Sequence, residues 1–144
     1  MKVEGILEAK GTDVETVEPD ARVETVVHRL MSREIGAIVV SKDGARVDGV
    51  ISERDVVRGL EKYRERVLEM RARDIMSRNV LVCYPEDSLK RVMSDMTRTR
   101  SRHLPVLRDG VLCGIISVGD VVKHRLEEIE LETGVLRDHY ILSR

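Results

Sequence analysis

Two stretches of this chain set a hydroxyl and a carboxylate three residues apart behind a glycine. Gly49–Asp55 reads GVISERD and Gly114–Asp120 reads GIISVGD. Average composition produces the pattern Gly-x-x-[Ser/Thr]-x-x-Asp at roughly 4 × 10⁻⁴ per start. One match in a chain of this length is roughly a one-in-twenty accident, and two at equivalent points of a repeat are much harder to dismiss. The chemistry available is specific. A Ser hydroxyl donates to a phosphate oxygen, and an Asp carboxylate accepts both hydroxyls of a vicinal diol such as that of ribose. If the stretch opens a helix, the free N–H groups and positive dipole end add a site for an anion. The plainer reading is that Ser52 with Asp55, and Ser117 with Asp120, only cap a helix.

The elements that must position these groups are themselves duplicated. TVEPDARVETVVHRLMSREIGAIVVSKDG precedes the first motif and VCYPEDSLKRVMSDMTRTRSRHLPVLRDG the second. Pro19 and Pro85 stand 66 apart, as do Asp43-Gly44 and Asp109-Gly110, while the motifs stand 65 apart. Each copy predicts a short strand (Val14–Val17 or Val80–Cys83) before a proline. An amphipathic helix follows, on Val23, Val26, Val27, Leu30 and Met31 or on Leu89, Val92, Met93 and Met96. A strand (Ala37–Val40 or Leu104–Leu107), an Asp-Gly hairpin turn and a return strand (Val47–Ile51 or Val111–Ile116) come next. A second helix begins around Asp55 or Asp120. A fainter echo, Ile6-Leu7 with Ile75-Met76, lies 69 apart ahead of each copy.

The fold class expected is therefore α/β of the α+β type, two β-α-β-β-α repeats packed through their sheets with pseudo-two-fold symmetry. Neither half alone would be comfortably stable. The divisions expected are repeat one with its following linker helix over 1–66, repeat two over 67–130 and a helical tail over 131–144. Glu61–Arg71 is the charged link between halves.

Composition narrows the function. The chain has 144 residues, a formal net charge of −1, 42% hydrophobic and 35% charged residues. That is globular, and it lacks the basic excess of a general nucleic-acid binder. Trp and Phe are missing and Tyr63, Tyr84 and Tyr140 are the three tyrosines, too few to stack single-stranded bases. No signal-peptide core or membrane-length apolar run is present. Cys83 and Cys113 lie on expected strands and read as small buried hydrophobes, reduced in a cytoplasmic protein. His28, His124 and His139 show no metal-ligand spacing. No nucleophile-base-orienter trio, P-loop or HExxH is present, and a duplicated site suits binding better than catalysis, so no enzyme is expected.

The doubled motif, the proline behind each first strand, RDIM at Arg73–Met76 and HLPV at His103–Val106 together resemble the CBS-domain family, named from cystathionine β-synthase. The resemblance covers roughly residues 3–126. It implies a tandem pair with two clefts, binding AMP, ADP, ATP, NAD or S-adenosylmethionine, without a catalytic cofactor, and a flat homodimer regulating a separate effector protein. Carried over residue by residue, it implies Ser52 and Asp55 on one ligand, with Val14, Gly36, Ala37 and Ile51 beside its adenine. It implies Ser117 and Asp120 on the other, with Val80, Arg102, His103 and Ile116 beside that adenine. Copy two adds Arg98, Arg100, Arg102 and His103 before its strand, where copy one has MSREIGA, and Val39 stands where copy two has Pro105. The Ser117/Asp120 cleft is thus expected to favour charged ligands, leaving the other with Arg54 as its nearest cation. The plainer readings are a solvated basic face for the arginines and a partly buried neutral imidazole for His103. The dimer interface is expected on Val56, Val57 and Leu60 and on Val121, Val122 and Leu126. A dimerisation module without ligand, and a nucleic-acid-associated regulator using Arg98–His103, stay open as alternatives, although nucleic acid and membrane are not expected as partners.

Overall fold

The structure is a computed structural model and describes residues 1–133. The chain runs α1 (Val3–Lys10), β1 (Thr16–Val17), α2 (Val23–Ser32), β2 (Ala37–Val40), β3 (Gly49–Ser52) and α3 (Glu53–Tyr63). A 3₁₀ turn over Arg64–Glu69 leads to α4 (Ala72–Ile75), α5 (Leu89–Thr99), β4 (His103–Arg108), β5 (Val111–Ser117) and α6 (Val118–Thr133). Of the helical tail expected over 131–144, residues 134–144 lie outside the described residues.

The apolar spacing does what its period requires. On α2, Val23, Val26 and Leu30 share the buried face; on α5, Leu89, Val92 and Met96 do. Ser88 caps α5 by accepting from Arg91 N–H. In the first half β1 pairs parallel with β2 and β2 antiparallel with β3. The pleat then sends alternate residues to opposite faces. Ile38, Val40 and Ile51 enter the core under the helices, with Val26 and Leu30. Ala37, Val39 and Val50 turn the other way and meet Val80, Leu112 and Ile115 of the second half. Both faces of β2 are therefore buried, which is why its run AIVV is unbroken by polar residues.

The second half repeats this with two differences. Around Cys83 only one parallel bridge to Val106 forms, so its sheet has two strands where three are expected. Cys83 donates to the Pro105 carbonyl and accepts from Leu107 N–H, while Val80 bonds back to Arg78 and leaves the ladder. The hairpins also differ. Asp109-Gly110 is a tight turn with both residues at positive φ, 54° and 79°. The first connection instead spans residues 41–48, because Asp43 accepts from Ala45 and Arg46 N–H and folds the chain into a wider loop. That delays β3 to Gly49, two residues after the expected start.

Each core is completed by the segment that precedes the other repeat. Val3, Ile6 and Leu7 of α1 are buried with Leu89, Leu104 and Ile116 of the second half. Ala72 and Ile75 of α4, with Met76 that follows it, pack with Ile38 and Ile51 of the first. The motif glycines exist for this crossing. A Cβ on Gly114 would stand 2.5 Å from Leu7 Cδ2, and one on Gly49 2.6 Å from Met76 Sδ. Leu7 and Met76 are the residues of the 69-residue echo, so the two contacts are equivalents across the pseudo-two-fold.

Candidate functional site

The motif residues follow the pleat one by one. In β3, Gly49 faces α4, Val50 the opposite half, Ile51 the helix-side core, and Ser52 ends the strand as the N-cap of α3. β5 repeats the order with Gly114, Ile115, Ile116 and Ser117. Asp55 therefore sits on the first turn rather than at the cap. Its Oδ2 accepts from Ser52 N–H at 2.8 Å and Ser52 Oγ at 3.0 Å, while Asp55 N–H reaches Ser52 Oγ at 3.3 Å. Asp120 takes the same N–H bond from Ser117 at 2.9 Å and returns one at 3.1 Å. The capping function is real in both copies, and it spends one carboxylate oxygen in each.

The other surroundings of the two carboxylates differ. Asp55 Oδ1 accepts from Ser77 Oγ at 3.2 Å, with Arg58 Nη1 at 3.9 Å. Ser77 also joins the edge of β3, exchanging both backbone hydrogen bonds with Val50. Asp120 Oδ2 instead accepts from Lys10 Nζ at 2.7 Å, and the same ammonium donates to the Ile115 carbonyl at 2.9 Å. Burial raises the Asp120 carboxyl, but Lys10 and Ser117 more than offset this and hold it below its usual value.

A cavity of about 560 Å³ opens beside Asp55. Gly36, Val50, Ser52, Glu53, Arg54 and Asp55 line it from the first half; Val80, Leu81, Arg100, Ser101, Arg102 and His103 line it from the second. Ser77 and Asn79, from the chain between the halves, close one side. The Arg54, Arg100 and Arg102 guanidiniums have no hydrogen bond or ion pair among the described residues. Arg100 is presented there by the end of α5, where it adopts a left-handed φ of 57° and donates to the Met96 carbonyl. A neighbouring cavity of about 500 Å³ shares Arg54, Arg100, Ser101 and Arg102 and has Met93, Met96, Val121 and Val122 along its floor.

His103 sits where the halves meet. A Cβ on Gly36 would stand 2.9 Å from His103 Nε2 and 3.2 Å from Glu53 Oε1, so glycine lets both side chains approach the strand without shifting. Burial pushes the His103 imidazole below its ordinary value and Lys10 pushes it further, against the pull of Glu53 and Asp120. It is neutral at pH 7, able to donate with one ring nitrogen and accept with the other.

These placements bear on the sequence reading in two respects. Val80, Arg100, Arg102 and His103 line the cavity beside Ser52 and Asp55, while His103 also pairs with Ser117 across β4 and β5 and the Arg102 carbonyl accepts from Val118 N–H at the start of α6. Face-to-face packing of the sheets is the cause, since it sets the start of β4 opposite the end of β3. The cations expected at the Ser117/Asp120 cleft therefore also face the cavity beside Asp55. The second concerns residues expected beside the adenines, and Pro105, expected among the binding residues. Ile51 and Ile116 are fully buried under the helices, Ala37 and Val14 pack into the inter-sheet core, and Pro105 is buried in β4. Strand alternation decides this, and a stretch of unpaired sequence does not say which face is wet. Lys10, Glu53, Ser77 and Asn79 were missed. The 69-residue echo was the available signal, because it sets Lys10 in register with Asn79.

Cys83 is buried and burial pushes its thiol up to about 12, so it is an inert core residue. Among the described residues both cysteines are unpaired, no three potential metal ligands gather, and no helix is long and apolar enough to cross a membrane.

A duplicated unit of small sheets and helices with a polar cavity at the junction defines a tandem-repeat α/β scaffold. Comparison with known proteins says which one. The CBS-domain family model matches residues 8–62 and again 72–127, and the chain belongs to the CBS-domain family. It is 33% identical over 113 residues to a mitochondrial CBS domain-containing protein, CBSX3, of Arabidopsis thaliana; the match covers 76% of this chain and 55% of the relative. The crystal structure of the CBS-domain containing protein ATU1752 from Agrobacterium tumefaciens superposes with a TM-score of 0.83 at 39% identity, covering 87% of this chain and 99% of that one. The CBS domain pair of protein MJ0100, solved in complex with 5′-methylthioadenosine and S-adenosyl-L-methionine, shares the fold with a TM-score of 0.77 at 18% identity, over 89% and 98% of the two chains.

Proposed function

We propose that this chain is a non-catalytic sensor that takes an adenosine nucleotide in the Ser52/Asp55 cleft and passes its occupancy to a separate effector protein in the cytoplasm. One observation carries the reading. Three arginines with no ion pair among the described residues, Arg54, Arg100 and Arg102, line the same 560 Å³ space as a capped carboxylate, Asp55, at a helix N-terminus. Uncompensated cations in one cleft call for an anion, and bidentate guanidiniums suit phosphate. The carboxylate suits a ribose diol. Gly36, Val50, Val80 and Leu81 supply the small and apolar wall against which a flat base packs. The adenosine ligands of the MJ0100 pair agree with this chemistry.

Calorimetric titration with AMP and adenosine tests it. AMP is expected to bind in the micromolar range and adenosine more weakly. Replacing Arg100 and Arg102 by alanine should cost AMP about tenfold or more and leave adenosine unchanged. Equal losses for both ligands, or no binding by either, would refute phosphate reading here.

The same proposal includes a homodimer. Val57, Leu60, Val122 and Leu126 are exposed on α3 and α6, and the two helices are equivalents across the pseudo-two-fold. Val56 and Val121, expected on the same face, are instead packed inward. Val57→Asp with Val122→Asp should convert a dimer to a monomer in light scattering at micromolar concentration; a wild-type monomer would refute it.

A further inference from the structure

The two motifs present the same carboxylate to different donors, and the difference has the form of a substitution. In the first half, Ser77 makes two contacts: its N–H satisfies the Val50 carbonyl at 2.9 Å and its hydroxyl reaches Asp55 at 3.2 Å. In the second half, Ile115 and Asp120 are the equivalents of Val50 and Asp55, and one group, Lys10 Nζ, makes both contacts, at 2.9 Å and 2.7 Å. The helices explain the exchange. α4 ends at Ile75, so the chain beyond it runs along the β3 edge and leaves the cavity open. α1 continues to Lys10, so among the described residues no backbone pairs with the β5 edge there, and a long side chain supplies the donor. Where the register of the echo sets Lys10, the first half has the uncharged Asn79.

A neutral serine leaves Asp55 its charge, whereas an ammonium cancels that of Asp120. Lys10 shares Oδ2 of Asp120 with the Ser117 N–H, so a hydroxyl approaching the other oxygen meets a carboxylate whose charge is already compensated and gains less than from an unpaired one. We propose that Lys10 is the residue that decides which cleft a nucleoside enters: it holds Asp120 as an internal ion pair, so the chain takes ribose at Asp55 and not at Asp120. This deepens the nucleotide-binding reading and rests on it for the ligand class, but it concerns a different residue pair.

The experiment is site-resolved. Amide spectra of the full chain are followed during titration with adenosine, for wild type, Lys10→Met, Lys10→Gln and the double variant Lys10→Met, Asp120→Asn. In wild type the amides of Ser52–Asp55 should move and those of Ser117–Asp120 should not. In Lys10→Met the Ser117–Asp120 amides should respond, with affinity at that cleft raised about tenfold or more, and the double variant should lose the response. Lys10→Gln keeps a donor for the Ile115 carbonyl without the charge and should behave like Lys10→Met, which guards against a variant that merely unfolds the edge. Overturning results are a wild-type response at Ser117–Asp120 as strong as that of Lys10→Met, or no response there in either single variant. Silence at Ser52–Asp55 in wild type would instead sink the first-cleft reading, whatever happens at Asp120.

Discussion

The Ser52/Asp55 and Ser117/Asp120 corners share strand, cap and helix, yet they are electrostatic opposites. Beyond the cap, Asp55 meets a neutral hydroxyl and a distant Arg58, and three arginines with no ion pair among the described residues share the cavity. Around Asp120 one lysine makes a direct ion pair. Duplication copies the backbone machinery faithfully because the motif encodes packing: glycine for a crossing helix, two apolar residues for two cores, serine for a cap. It does not copy the ligand chemistry, which depends on what the neighbouring segment brings to the strand edge.

The comparison can be broken first at the crossing itself. Ile6 is fully buried in the second half although it precedes the first. Ile6→Ala should cost about 2–5 kcal/mol in urea unfolding. Amide exchange should show the lost protection in β4 and β5 before β2 and β3. Protection lost first in β2 and β3 would mean that α1 belongs to its sequence neighbour. Ile75→Ala is the mirror test and should cost less, because Ile75 is only partly buried.

Ligand binding sharpens the contrast next. Asp55→Asn removes a charged acceptor worth about 1.5–3 kcal/mol and should weaken AMP roughly 10- to 150-fold in calorimetry. Asp120→Asn should leave AMP affinity within about twofold. Equal losses would make the clefts equivalent and remove the asymmetry.

The motif glycines give a smaller, internal comparison. A Cβ at Gly49 would meet Met76 Sδ at 2.6 Å and also the Ser77 carbonyl oxygen at 2.8 Å, which is backbone and cannot step aside. At Gly114 it would meet only the mobile end of Leu7. Gly49→Ala should therefore destabilise by about 1–3 kcal/mol, and Gly114→Ala by less, in the same denaturant assay. The reverse order would show that the α1 crossing is the stiffer of the two.

The weakest expected effect is a pH dependence. His103 has a folded value below the ordinary 6.5, set first by burial and then by Lys10. Below about 6.5 the unfolded chain takes the proton and the folded chain does not, so stability should fall as pH drops from 6.5 toward the folded value. His103→Gln should flatten that slope in thermal unfolding. A slope unchanged by the substitution would assign the effect to other groups.

Much of this was legible in the residues alone. Periods of 3.6 and 2, proline and Asp-Gly punctuation, and the doubled motif determine the order of elements, the two-fold repeat and the capped Ser-x-x-Asp corners. Those are local properties, written within a few residues of where they act. The tertiary structure decided the rest, because it depends on residues far apart in sequence. Face-to-face sheets carried Arg100, Arg102 and His103 to the first cleft, and strand alternation hid Ile51 and Ile116 under helices. The length of α1 against α4 brought Lys10 to Asp120, 110 residues away, and left Asp55 to Ser77. A charge acts through space on whatever the fold sets beside it, and no spacing within one repeat reveals which neighbour that is.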